Sequence, residues 1–339
     1  ATSMTASLPE LTQKILNGYR LKRGDNLEIF KTGDLDELEK GAGAIQTQYR
    51  HNHVDLCSII NGRSGRCPED CKYCAQSACH RTDIKEYAFL PKEEIYAAAK
   101  KNQEAGLNRF AVVTAGRALT GVEFDKAIDA FEMMKKDLSI GLCASMGFLS
   151  AEQFRRLKKA GVTSYHHNLE TSKRFFPYIC TTHTYDDKIR EIKLAQSEGL
   201  RVCSGGIIGM GETWDDRLDM AISLSELGIH SIPINILMPI PGTALEHQPR
   251  ISGEDAMRTI AFFRYINPEA DIRLAAGRKV LPGNGAVAFR SGASATITGD
   301  MLTTSGTTIK GDFAILKSLG LSNDRSIDEE EDVPQQIAN

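Results

Sequence analysis

Apolar, β-branched runs recur along the 339-residue chain at 54–60, 108–114, 139–145, 163–168, 200–207, 231–237, 270–275 and 293–298. Segments with helical spacing of apolar positions lie between most of them, at 93–106, 121–137, 150–160, 184–198, 213–227 and 253–266. Ser150, Thr184, Thr213 and Ser252 stand where four of these helices open, and their hydroxyls can cap free backbone N–H groups. Gly161, Gly199 and Gly228 follow three helix ends. Eight strands alternating with helices predict an α/β fold, a parallel (β/α)8 barrel of the TIM type. On this reading residues 1–50 form a helical extension, 51–320 the barrel and 321–339 a tail. The acidic run Asp328, Glu329, Glu330, Glu331 and Asp332 predicts that the tail is disordered.

Composition narrows the function classes. A net charge of -3 gives no basic field for nucleic acid. No apolar run approaches a membrane span, and the N-terminus lacks a signal-peptide core. Eight cysteines without a secretory signature predict a reducing cytoplasm in which thiolates serve metals. Three of them, Cys67, Cys71 and Cys74, spell C-x-x-x-C-x-x-C. Soft thiolates are the usual iron–sulfur ligands, and three of them can cap three corners of a four-iron cluster. The fourth iron is then open to a small molecule. The competing reading, a structural zinc knuckle, lacks a second C-x-x-C or H-x-x-x-H pair nearby.

The barrel reading also locates other cysteines. Cys57, Cys143 and Cys203 fall on the first, third and fifth predicted strands, and Arg273 on the seventh. One interior layer of a barrel takes its side chains from alternate strands, so these four can form a ring below the reactive loop. Singly, each cysteine would read as a small buried hydrophobe. Together with a basic residue they predict a second metal site.

The run R-C-P-E-D-C-K-Y-C-A-Q-S, with Tyr73 before the third cysteine, resembles the signature of the radical S-adenosylmethionine (SAM) enzymes. Four further segments narrow the resemblance to the biotin synthase family, over nearly all of 50–320. They are Y-H-H-N-L-E-T-S at 165–172, V-C-S-G-G-I-I-G-M-G-E at 202–212, I-P-I-N-I-L at 232–237 and I-R-L-A-A-G-R at 272–278. The resemblance implies SAM-dependent sulfur insertion into dethiobiotin, with the sulfur taken from an auxiliary iron–sulfur cluster. It implies that Cys67, Cys71 and Cys74 ligate the SAM-binding 4Fe-4S cluster and that Tyr73 lies beside the adenine. Gly205, Ile207, Gly209 and Glu212 match a G-x-I-x-G-x-x-E segment near the adenosyl group. Asn168 matches a contact to both SAM and dethiobiotin, and Asn235 a contact to the ureido ring. Glu170 stands where many relatives carry aspartate on the ribose. Lys188 stands where they carry arginine for the methionyl carboxylate; read without the family, it is a solvated helix charge. His166 replaces a substrate-side asparagine. The implied partners are SAM, dethiobiotin and a flavodoxin or ferredoxin donor, and the implied assembly is a homodimer.

One departure stands out. Family members with a two-iron auxiliary cluster hold it with three cysteines and an arginine. Cys143, Cys203 and Arg273 match three of these, but the remaining position is Ala111, which cannot ligate iron. Cys57 on the neighbouring strand is the natural replacement. Spreading three thiolates over alternate strands favours a four-iron auxiliary cluster, with a two-iron cluster as the alternative. Cys79 and Cys180 are left over and read as non-ligands. A different radical SAM barrel enzyme would share the cysteine triplet without needing the interior ring. A simple iron–sulfur electron carrier would need neither the adenosyl segment nor Asn168, Glu170 and Asn235.

Overall fold

A computed structural model describes residues 7–74, 76–77, 80, 86–299 and 307–324. Three helices come first, α1 (Leu8–Leu16), α2 (Ile29–Thr32) and α3 (Leu35–Arg50). Parallel strands and helices then alternate: β1 (Asp55–Arg63), α4 (Lys92–Glu104), β2 (Arg109–Thr114), α5 (Gly121–Asp137), β3 (Gly141–Ser145), α6 (Ala151–Lys159) and β4 (Ser164–His166). A short helix α7 (Phe176–Ile179) precedes α8 (Tyr185–Ser197), followed by β5 (Arg201–Cys203), β6 (Gly206–Ile208), α9 (Trp214–Glu226), β7 (Ser231–Ile236), α10 (Gly253–Ile266), β8 (Asp271–Leu274), β9 (Ala295–Ile297) and α11 (Ile309–Ser318). Strand order is β5-β4-β3-β2-β1-β9-β8-β7-β6, and a β5–β7 pairing closes the sheet into a barrel.

The predicted helix starts are built as the sequence implies. Ser150, Thr184 and Thr213 each form a reciprocal capping box, with Gln153, Asp187 and Asp216, and the Ser252 hydroxyl accepts from the Asp255 N–H. The strand expected at 200–207 departs from the prediction, since it is two pieces, β5 and β6, sharing one barrel position. The cause sits on β7. Cys203 pairs with Ser231 and Gly206 with Ile234, so the break faces Pro233, which has no N–H to continue the ladder. The two backbones approach closely there. A Cβ on Gly205 would lie 1.9 Å from the Pro233 carbonyl oxygen. The chain turns at this break and brings the segment after β6 to the barrel mouth.

The acidic run 328–332 and Cys79 lie outside the described residues. No helix among the described residues is long and apolar enough to cross a membrane.

Candidate active site

Two cavities lie one above the other in the barrel, and thiols line both. The upper one, of about 240 Å³, opens at the mouth between the β1–α4 loop and the ends of β2–β4. Cys67, Cys71 and Cys74 line it, opposite His166, Asn168, Glu170 and Lys188. Local hydrogen bonds shape the cysteine loop. The Cys67 N–H donates to the Gln76 carbonyl at 2.5 Å, and the Cys74 N–H to the Cys71 carbonyl at 3.2 Å. Burial pushes the Cys67 and Cys74 thiols above their usual range.

The wall facing the cysteines is polar and buried. Glu170 is 7% exposed, and its Oε2 has no hydrogen-bond partner among the described residues. Its backbone has φ of 72°, a left-handed conformation uncommon for glutamate. Hydrogen bonds from the Glu170 N–H to the Gly205 carbonyl and from the Ile207 N–H to the Glu170 carbonyl fix it there. Burial raises its carboxyl above the ordinary carboxylate range, against the pull of Lys188. Lys188 is 8% exposed, with Nζ 5.7 Å from the Phe148 ring centroid. The solvated charge that a bare reading assigns to it is therefore not what the fold makes.

Asn168 Oδ1 accepts from the Gly205 N–H at 3.0 Å and lies 2.8 Å from His166 Nε2. Because that oxygen can only accept, His166 carries its proton on Nε2, and Nδ1 accepts from the Ser145 hydroxyl at 3.1 Å. Burial lowers the His166 pKa to about 4, so the ring is neutral at pH 7. The Glu212 carboxylate is taken up by its own turn, through the Gly209 and Met210 N–H groups and Arg217 Nε at 2.6 Å. Glu212 thus holds the shape of the wall. Ile207 and Tyr73 pack around Cys71, Phe176 and Met210 at the side of the pocket.

The lower cavity, of about 170 Å³, lies inside the barrel. Cys57, Cys143, Cys203 and Arg273 all line it, with Ala111, Asn235, His166 and Asn168. Cys57 and Cys143 flank Ala111 in one small cluster. Arg273 donates from Nη2 to Asp55 Oδ2 at 2.6 Å and from Nε to the Ser231 hydroxyl at 3.2 Å, and Cys203 Sγ lies 3.5 Å from that hydroxyl. Burial works against the Arg273 charge, but the Asp55 carboxylate offsets it and the guanidinium stays charged. Burial pushes the Cys143 thiol up to about 11 and raises Cys57 and Cys203 as well. Asn235 spans two backbones, donating from Nδ2 to the Gly206 carbonyl at 3.3 Å and accepting at Oδ1 from the Ala276 N–H at 3.2 Å.

Sequence reasoning missed Asp55 and Arg109, which lie 3.3 Å apart beneath this ring. Each sits two residues before an inward position, Cys57 and Ala111, so the two-residue period of a strand could have found them. It also missed Cys180 and His183. Cys180, set aside as a leftover, lies 3.6 Å from Cys71.

The Radical SAM superfamily profile matches residues 63–224, and the Biotin and Thiamin Synthesis associated domain matches 233–322. A biotin synthase of Clostridium beijerinckii is 60% identical over 315 residues, covering 93% of this chain and 100% of the relative. The chain belongs to the biotin synthase family. A biotin synthase of Alkaliphilus metalliredigens is 54% identical over 313 residues, covering 92% of this chain and 98% of the relative. The fold is shared with methylornithine synthase, at TM-score 0.81 and 18% identity, covering 95% of this chain and all of that one. It is shared too with the [FeFe]-hydrogenase maturase HydG, at TM-score 0.83 and 19% identity, covering 97% of this chain and 78% of that one. Membership of the radical SAM superfamily implies a 4Fe-4S cluster and SAM, and biotin synthase implies SAM and dethiobiotin as substrates. The mouth suits the first pair, because three thiols share one pocket with a buried, unpartnered carboxylate oxygen.

Proposed function

We propose that this chain closes the thiophane ring of biotin by inserting sulfur into dethiobiotin in the space between the two cavities. The carrying observation is that the cavities are continuous in their lining: Val113, Ser145, His166 and Asn168 belong to both. A molecule lying there would face the mouth thiols on one side and the interior thiols on the other. When bound, the mouth cluster and SAM supply the 5'-deoxyadenosyl radical that removes hydrogen, and the auxiliary cluster supplies sulfur.

The chain's own residues then bind, orient and exclude water. Cys67, Cys71 and Cys74 hold the mouth cluster. The free Oε2 of Glu170 accepts from the ribose hydroxyls, and Lys188 meets the methionyl carboxylate as a point charge. Tyr73, Gly205, Ile207, Gly209 and Glu212 frame the adenosyl end. Asn168, whose Oδ1 is committed to Gly205 and His166, offers its amide N–H groups to both substrates. Asn235 and His166 meet the ureido ring. Both ring nitrogens of His166 are engaged, by Asn168 and Ser145, so the neutral ring lines the substrate space without a charge and holds Asn168 in place. No side chain is needed as a general base.

Cys57, Cys143 and Cys203 hold the auxiliary cluster, with Arg273 offsetting its negative charge. Their positions on β1, β3 and β5 support a four-iron type, since alternate strands are about 9–10 Å apart at the backbone. We place the enzyme in the cytoplasm as a homodimer fed by flavodoxin or ferredoxin. Its domains would be a helical extension (1–50), the barrel (51–320) and a tail (321–339).

Anaerobic incubation with SAM, dithionite and dethiobiotin tests the activity. Biotin and 5'-deoxyadenosine are expected together, and deoxyadenosine without any biotin would overturn the assignment. Iron and sulfide analysis with Mössbauer spectroscopy tests the cluster type. About eight irons per chain are expected from two four-iron clusters, and about six would return the auxiliary site to a two-iron form.

A further inference from the structure

The geometry points to a second use of Cys71: with Cys180 and His183 it forms a site for one zinc-class divalent cation, and that cation excludes the four-iron cluster. The inference rests on the reading of Cys71 as a cluster ligand. Cys180 follows α7, and His183 lies just before α8, so chain folding brings them to a loop more than a hundred residues away. Cys71 Sγ and Cys180 Sγ lie 3.6 Å apart. Cys180 Sγ is 3.4 Å from His183 Nδ1 and 3.7 Å from Nε2. One donor atom from each of the three residues lies within 4.8 Å of the others. A tetrahedral zinc ion with bonds of about 2.0–2.3 Å sets its donors about 3.3–3.8 Å apart, and the Cys71–Cys180 and Cys180–His183 pairs already stand at that spacing.

Two thiols alone would suit a disulfide as well as a metal. The imidazole decides between them. Glu69 Oε2 lies 2.9 Å from His183 Nδ1, and Arg117 Nη1 pins Glu69 Oε1 at 2.5 Å. A carboxylate held in this way accepts a hydrogen bond from Nδ1–H and leaves the Nε2 lone pair free for a metal, as in the supporting shell of metal-binding histidines. All three donors are buried, at 9%, 2% and 7% exposure for Cys71, Cys180 and His183. The Thr182 hydroxyl, 3.6 Å from Cys180 Sγ, can donate to the resulting thiolate. Binding releases two thiol protons and leaves one coordination position for water. With Cys71 so held, the mouth triad keeps only Cys67 and Cys74 for iron, and cluster assembly stops.

The test uses the full-length, cluster-free chain under anaerobic conditions, with Co2+ as the probe and Zn2+ as its competitor. The parent should show thiolate-to-cobalt charge transfer that Zn2+ abolishes. Cys180→Ala and Cys180→Ser should each weaken this Co2+ binding at least tenfold while far-UV circular dichroism is retained. Zn2+ given before iron and sulfide should block assembly of the mouth cluster in the parent and spare it in both variants. Equal Co2+ affinity in parent and variants, as expected if Cys67, Cys71 and Cys74 bind the ion unaided, would overturn the inference. The two readings fail separately. If the mouth triad does not bind a cluster, the parent assembles none even without Zn2+, yet the cobalt difference persists.

Discussion

At the scale of single residues, the polar groups between the two cavities are held before any ligand arrives. Asn168 and His166 fix each other, and Asn235 ties β6 to the segment after β8. Asn235→Ala should weaken dethiobiotin binding by about 1–3 kcal/mol, the cost of losing a buried partner, and should affect SAM binding less. Equilibrium titration with each ligand checks this, and equal losses would contradict the role given to Asn235. His166 makes stability depend on pH. Its folded pKa, about 4, lies below the ordinary histidine value of 6.5. The unfolded chain therefore binds more protons between those values, so stability is full above pH 6.5 and falls as the pH drops towards 4. Glu191, raised to about 7 by burial, has the opposite sign over part of that window. The difference between parent and His166→Asn isolates the histidine, and the variant should lose less stability, on the order of 3 kcal/mol at most, between pH 6.5 and 4. Denaturant midpoints across that range are the measurement. How far these residues could be read in advance varied. The mouth cysteines are legible because their spacing is local. Cys180 and His183 are not, because their contact with Cys71 depends on how two distant loops fold. Lys188 looks like any helix charge until α8 lays it against Phe148.

At the scale of elements, the alternation of apolar runs and capped helices was enough to predict the barrel. A pattern along one strand cannot display what a neighbour does to it. Pro233 is visible within I-P-I-N-I-L, yet its effect, the break between β5 and β6, falls on the adjacent strand. Gly41 hides in the same way. It lies inside α3, where alanine would normally favour the helix by about 1 kcal/mol. A Cβ there would meet the Tyr265 hydroxyl at 1.8 Å and Thr12 Oγ1 at 2.4 Å, and those two hydroxyls are hydrogen-bonded at 2.6 Å. Tyr265 is fully buried and cannot swing away. Gly41→Ala should therefore destabilise by about 1–3 kcal/mol despite the better helix former. The loss should shrink in a Tyr265→Phe background, which removes the nearest atom. Thermal unfolding of the two single variants and the double variant would show it, and an unchanged or higher Tm for Gly41→Ala would refute the packing argument.

At the scale of the whole molecule, the barrel holds two thiol sites at different depths on one axis. Closure of the sheet through the β5–β7 pairing sets the ring of Cys57, Cys143, Cys203 and Arg273 below the mouth loop. The ring was legible because alternate strands of a barrel share a layer. Asp55, which anchors Arg273 from the floor, was legible only through the two-residue period that sets it below Cys57 on the same strand. Cys57, Cys143 and Cys203 put three thiols around the lower cavity, with Ala111 between the first two. In the proposed function, SAM is cleaved at the mouth and sulfur comes from the interior. Quantifying both products from Cys57→Ala, incubated anaerobically with SAM, dithionite and dethiobiotin, tests that division most directly. We expect 5'-deoxyadenosine to persist while biotin drops below detection; near-normal biotin from this variant would contradict the account.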